Sequence, residues 1–178
     1  MIAAIALAAA VALAALLLYA ASRPDTMKIE RSVRIQAEAE RIKPLINDIK
    51  RFNTWNPYNH KDPTMKGSYR GPTSGPGAAY DFDGNKNVGK GSIQIVEPTG
   101  PDRVSMMLDM TAPMACHNLI DFSLAPRGGA TEVTWSMTGP CPFLGKLMGV
   151  IFNMDKMVGR DFEKGLDRLR DAAVGTSS

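Results

Sequence analysis

The chain carries few of the residues that mark an enzyme. Its 178 residues hold only two cysteines and two histidines. There is no CxxC and no Cys/His cluster at ligand spacing, which argues against a zinc site. No GxSxG is present, and nothing resembles a phosphate-binding loop. Gly84 to Gly91 is glycine-rich but is not followed by a helix, so it reads as a hairpin turn. His60 and His117 stand apart in sequence. Cys116 adjoins His117, but neighbours in a strand point to opposite faces, so the two make a poor dyad. Asp109 and Asp121 have the opposite parity to their apolar neighbours and belong on an outer, solvated face. The net charge is only +3, with both signs interspersed and no basic run. That balance argues against nucleic acid as a partner. No cofactor motif is present, and the residues offer no metal site and no convergent catalytic set.

Long apolar runs are also scarce, with one exception. Residues Ile2 to Ala21 are uncharged and almost wholly apolar. As a helix they span about 30 Å, the thickness of a bilayer core. Eleven of the twenty are alanine, so insertion rests on Ile2, Ile5, Leu7, Val11, Leu13 and Leu16 to Leu18. Tyr19 falls at headgroup level. A cleaved signal peptide is the rival, with Ala20 and Ser22 as small residues before a cut, and a buried core helix is a third reading. The absence of Lys or Arg ahead of the run, and its length, favour an anchor over a signal peptide. The segments are then an anchor over 1–22, a linker over 23–27, a folded domain over 28–173 and a flexible tail over 174–178. Arg23, Lys28, Arg31 and Arg34 follow the anchor, which by the positive-inside rule favours a cytoplasmic domain.

Between Met65 and Gly139 the chain reads as short alternating segments broken by Gly and Pro. Strands are expected near 27–37, 65–70, 78–83, 91–96, 103–110, 116–124 and 131–138. Two short helices, near 38–49 and 50–55, separate the first strand from the rest. Pro44 is tolerable in the first of them only near its opening turn. Asn-Pro and Asp-Pro mark 56–63 as a loop. From Leu147 to Ala173 apolar residues recur at helical spacing, through Ile151, Met154, Val158, Phe162, Gly165 and Leu169. One long helix after a run of strands must bury this stripe on the sheet.

Gly128-Gly129 is a two-residue hairpin turn of the primed type. It pairs Phe122 with Trp135, Ile120 with Met137 and Leu124 with Val133, all on one side. The same register sets Cys116 opposite Cys141, close enough for a disulfide. The alternative is two small buried apolar groups, and Pro140 weakens the pairing by ending the strand. A disulfide favours an oxidising compartment and opposes the charge rule. The inner face collects Tyr80, Phe82, Met106, Leu108, Met110, Phe122, Trp135 and Met137, with Trp55 beside them. Met148, Phe152, Met157 and Phe162 close it from the helical end. Methionine is adaptable, and the chain has eleven. A solid core and a ligand cavity are both compatible with this list; a curved sheet around one helix favours the cavity.

This order of elements resembles the helix-grip fold of the START-like superfamily, SRPBCC. Within it the chain resembles the polyketide cyclase/dehydrase-type branch and its membrane-anchored bacterial members. The residues that carry the likeness are Glu30-Arg31-Ser32, Ala37, Glu40, Asn47-Asp48 and Phe52-Asn53-Thr54-Trp55-Asn56-Pro57. Gly71-Pro72, Gly75, Gly77, Gly89-Lys90-Gly91 and the run Val158 to Leu166 continue it. Phe52 stands where such sequences often carry Trp. The resemblance implies an α+β fold, a curved antiparallel sheet of about seven strands around a long C-terminal helix. It also implies a hydrophobic or lipid-like small molecule in a central cavity, and it transfers no catalytic residue. The leading expectation is a membrane-tethered binding protein. A cyclase- or dehydratase-like enzyme and a tethered protein with a filled core are the alternatives. The anchored relatives tip the expected side of the domain to the extracytoplasmic one.

Overall fold

A computed structural model describes residues 1–175; the last three residues of the expected tail lie outside the described residues. Helix α1 (Ile2–Ala21) leads into β1 (Thr26–Ile35), then the short helices α2 (Ala39–Asn47), α3 (Ile49–Trp55) and α4 (Pro57–Lys61). Strands β2 (Lys66–Arg70), β3 (Ala79–Asp83), β4 (Lys90–Gly100), β5 (Arg103–Ala112), β6 (Cys116–Pro126) and β7 (Thr131–Pro140) follow. Helices α5 (Phe143–Ile151) and α6 (Met154–Val174) close the chain. The seven strands form one antiparallel sheet in the order β1-β7-β6-β5-β4-β3-β2.

Local chemistry sets the register. The β6–β7 turn closes with the Arg127 amide donating to the Ala130 carbonyl at 2.7 Å. Gly128 and Gly129 have φ of 60° and 77°, which the primed turn requires and a side chain resists. Phe122 then faces Trp135, and Ile120 faces Met137, as the apolar pattern demands. In β1 the inner face runs through Ile29, Arg31, Val33 and Ile35, so the charge that interrupts the pattern faces inward. Arg31 does not enter the core. Its guanidinium lies across α6, 3.0 Å from Asp155 and 2.9 Å from Glu163. Gly159 makes the room: a Cβ there would sit 2.0 Å from an Arg31 nitrogen.

Helix α6 buries Phe162, Leu166, Leu169 and Ala173 against the sheet and α2. Burying a side chain the size of Phe162 contributes about 1.5–3 kcal/mol. Gly165 lets the helix approach closely, since a Cβ would lie 2.7 Å from the Trp135 ring and 2.9 Å from Pro57. One end of the interior is solid. Trp55 packs edge-on against Phe52, Phe122 and Trp135 at centroid distances of 4.9–5.8 Å. Trp135 stacks on Phe162 at 4.1 Å and 8°. The Trp55 indole nitrogen donates to the Leu45 carbonyl, which fixes α3 on α2.

Three expectations are corrected. The C-terminal helix is two helices, because Phe152 and Asn153 leave helical geometry and the Asn153 side chain caps α6 by accepting from the Lys156 amide. The expected loop at 56–63 contains α4: Asn56 accepts from the Tyr58 amide, and Pro57 sits in the first turn, where its missing N–H is harmless. Pro44 lies beyond the opening turn of α2, on its exposed face, where water can take the carbonyl it frees.

Candidate functional site

Toward α5 the sheet and the helices draw apart around a cavity of about 1170 Å³. Small-molecule sites typically measure about 300–1,000 Å³. The Trp135–Phe162 stack is its floor. Tyr80, Phe82, Leu108, Met110 and Met137 form the sheet wall, and Met148 and Met157 come from α5 and α6. These are nine of the thirteen residues expected around the cavity. The other four lie elsewhere. Met106 and Phe122 belong to the solid end, one level further along the same inner face, and Trp55 of α3 packs against Phe122 there. Phe152 is half exposed at the helix break and is not among the lining residues. Ile29, Phe52, Ile93, Ile120 and Met154 add to the apolar lining, and none of them was among the residues expected there.

The two cysteines do not form a disulfide. The β6–β7 pairing stops at Leu119–Thr138, before it reaches them. Cys141 instead continues along β1, its amide donating to the Asp25 carbonyl at 2.7 Å, with its sulfur against the first turn of α5. Both sulfur-bearing residues line the cavity. Burial pushes the Cys116 thiol up, so it stays neutral and weakly nucleophilic.

Polar groups reach the wall from positions that sequence spacing does not connect. Lys61 of α4 meets Asp161 of α6 at 2.5 Å, and its ammonium lies 4.9 Å from the Tyr58 ring centre. Burial and the Asp161 charge push the Tyr58 hydroxyl well above its ordinary range. Lys146 is buried on α5 and reaches out to Asp25 in the segment between α1 and β1, at 2.7 Å. That ammonium holds the Asp25 carboxyl below the usual range. Asn118 is 3 % exposed; its amide nitrogen contacts the sulfurs of Cys116 and Met137. Its amide oxygen and the Trp135 indole nitrogen have no partner among the described residues. Neither histidine is among the lining residues. His60 faces the Thr54 carbonyl, and His117 pairs with Asp109 on the outer surface. Asp121 is held there too, by Ser105 and Arg103.

A seven-stranded antiparallel sheet closed over a C-terminal helix, with an apolar chamber between them, defines a helix-grip protein of the SRPBCC, START-like class. The chain belongs to the polyketide cyclase / dehydrase and lipid transport family, whose model matches residues 26–174. Its fold is shared by a Nitrosospira multiformis protein at 18 % identity and TM-score 0.59, over 85 % of this chain and 97 % of that one. A Chromobacterium violaceum protein matches at 13 % and 0.58, over 86 % and 99 %. A Thermus thermophilus protein matches at 17 % and 0.57, over 85 % and 100 %. No curated protein matches the chain in sequence. Membership and lining together give the chain a hydrophobic ligand-binding role.

Proposed function

We propose that this protein is a membrane-tethered binding protein for a lipid-like molecule. The observation that carries the reading is a methionine-rich chamber of about 1170 Å³ that receives residues from the segment joining it to α1. Helix α1 is long and apolar enough to cross a bilayer. Its first fourteen residues, Ile2–Ala15, are exposed throughout, as an anchor's are. With both thiols free, the disulfide argument for an oxidising compartment falls away, and only the likeness to anchored relatives still favours the extracytoplasmic side. The basic residues after α1 then favour a cytoplasmic domain.

Native mass spectrometry of the full chain, released from membranes in mild detergent, tests the reading. The wild type is expected to carry an apolar adduct. Leu108→Trp, which narrows the chamber, is expected to carry less of it while remaining folded. No apolar adduct in the wild type after membrane extraction would overturn the proposal. A reporter fused at Ser178 and active only in the cytoplasm is expected to be active.

A second reading has its own observation. Tyr58, Lys61 and Asp161 converge on the cavity wall, which is the minimum an acid–base enzyme needs. Under that reading, Lys61→Met retains the adduct but stops its chemical conversion. Identical products from wild type and Lys61→Met would exclude it.

A further inference from the structure

The residues at the rim of the cavity form a coherent surface. Phe143, Leu144 and Met148 of α5, Phe152 just after it, Met157 of α6 and Met114 of the β5–β6 turn are all between about one third and just over half exposed. Leu144, Met148, Met157 and Met114 also line the cavity, so the patch is its mouth rather than a separate area. Large apolar side chains gathered on one exposed face signal a partner surface.

The position of α1 says which partner. Its contacts with the folded domain are made with α5, near its C-terminal end, where Leu16 is half buried and Ala20 fully buried. A spanning helix leaves the hydrocarbon at that end, so α5 lies at the level where the bilayer surface begins. Only Ser22–Asp25 separate α1 from β1, a reach of at most about 14 Å. The Lys146–Asp25 pair ties this segment to α5 and shortens the reach further. Tyr19 and Arg23, stacked at 6.0 Å, are the aromatic and basic pair expected at headgroup depth.

Resting on the tethered reading, we propose that the mouth of the cavity is a membrane-docking face. Helix α5 and the tip at Met114 insert into the headgroup layer of the bilayer that α1 spans, and the chamber opens to lipid rather than to water. A ligand then enters from the leaflet without crossing the aqueous phase.

Tryptophan quenching in the full chain tests this, because Trp55 and Trp135 are both buried and supply a constant background. Leu144→Trp, Phe152→Trp and, as a control, Val174→Trp are reconstituted in phosphatidylcholine–phosphatidylglycerol vesicles brominated on their acyl chains. Val174 is exposed and ends a 21-residue helix, about 30 Å from its start near α5. The expected result is a blue-shifted emission at 144 and 152 that loses most of its intensity to the brominated lipid, while the signal at 174 is unchanged. If the chain floats with the vesicles but all three positions behave alike, docking is wrong and tethering stands. Shielding of 144 and 152 from both brominated lipid and aqueous iodide means that a second copy covers the face, which also overturns the proposal. A chain that does not float with the vesicles removes the tether, and docking with it.

Discussion

Trp55, Phe122, Trp135 and Phe162 lock together at one end of the interior, ring against ring. At the other end Leu108, Met110 and Met137 stand around a chamber on the same sheet face, further along the sheet, with Met148 of α5 across from them. Rigid rings with a few defined contacts hold the fold together. Unbranched side chains at the other end leave a space whose shape adapts. Stability and binding are therefore carried at different levels of one face, and substitutions should separate them.

The largest effect belongs at the solid end. Phe122→Ala is expected to lose about 3–5 kcal/mol in chemical denaturation, because the void sits among rings that cannot collapse into it. Gly165→Ala tests the same end from the opposite direction. Its added methyl meets the Trp135 ring and Pro57, so a loss of about 1–3 kcal/mol is expected. Met110→Ala at the open end should cost about 1 kcal/mol or less, since its side chain is only partly buried, yet reduce the bound adduct. If Met110→Ala destabilised the protein as much as Phe122→Ala, the two ends would be one core and the comparison would fail.

The smallest effect lies on the surface that joins α6 to β1. Arg31 holds the Asp155 carboxyl below its usual range through hydrogen bonding and charge. A depressed carboxylate stabilises the fold at neutral pH, and its contribution is lost as the pH falls below about 4. Asp155 is mostly exposed, so the loss should stay under about 1 kcal/mol. Asp155→Asn should remove that part of the acid sensitivity, measured as the pH dependence of the melting temperature.

Much of this fold is legible because hairpin turns and strand parity are local. Gly128-Gly129 alone aligns β6 and β7 down to Phe122 and Trp135. Parity assigns a side chain to a face, but it says nothing of its level along the strand. That is why Met106 and Leu108 read alike from sequence, and only Leu108 reaches the chamber. The break at Phe152-Asn153 is invisible to periodicity, since the apolar steps continue through it. Asn56-Pro57 contains the same residues whether it breaks structure or starts a helix, and the cap geometry decides. The polar part of the wall is the least readable: Lys61 and Asp161 are brought together only by the packing of α4 on α6, and Asn118 follows a strand pattern that predicts an apolar residue.

Strand β2 ends the sheet and is exposed throughout, with backbone groups on its outer side free to pair. Proteins held on one membrane meet repeatedly at high lateral density, and an open edge there invites sheet-to-sheet polymerisation. β2 is only five residues long, starts at Lys66 and ends at Arg70, and carries Gly67 between them. Its brevity and its two cations make it a poor template. Under the tethered reading proposed above, they would keep a crowded population on one membrane from growing into a continuous sheet.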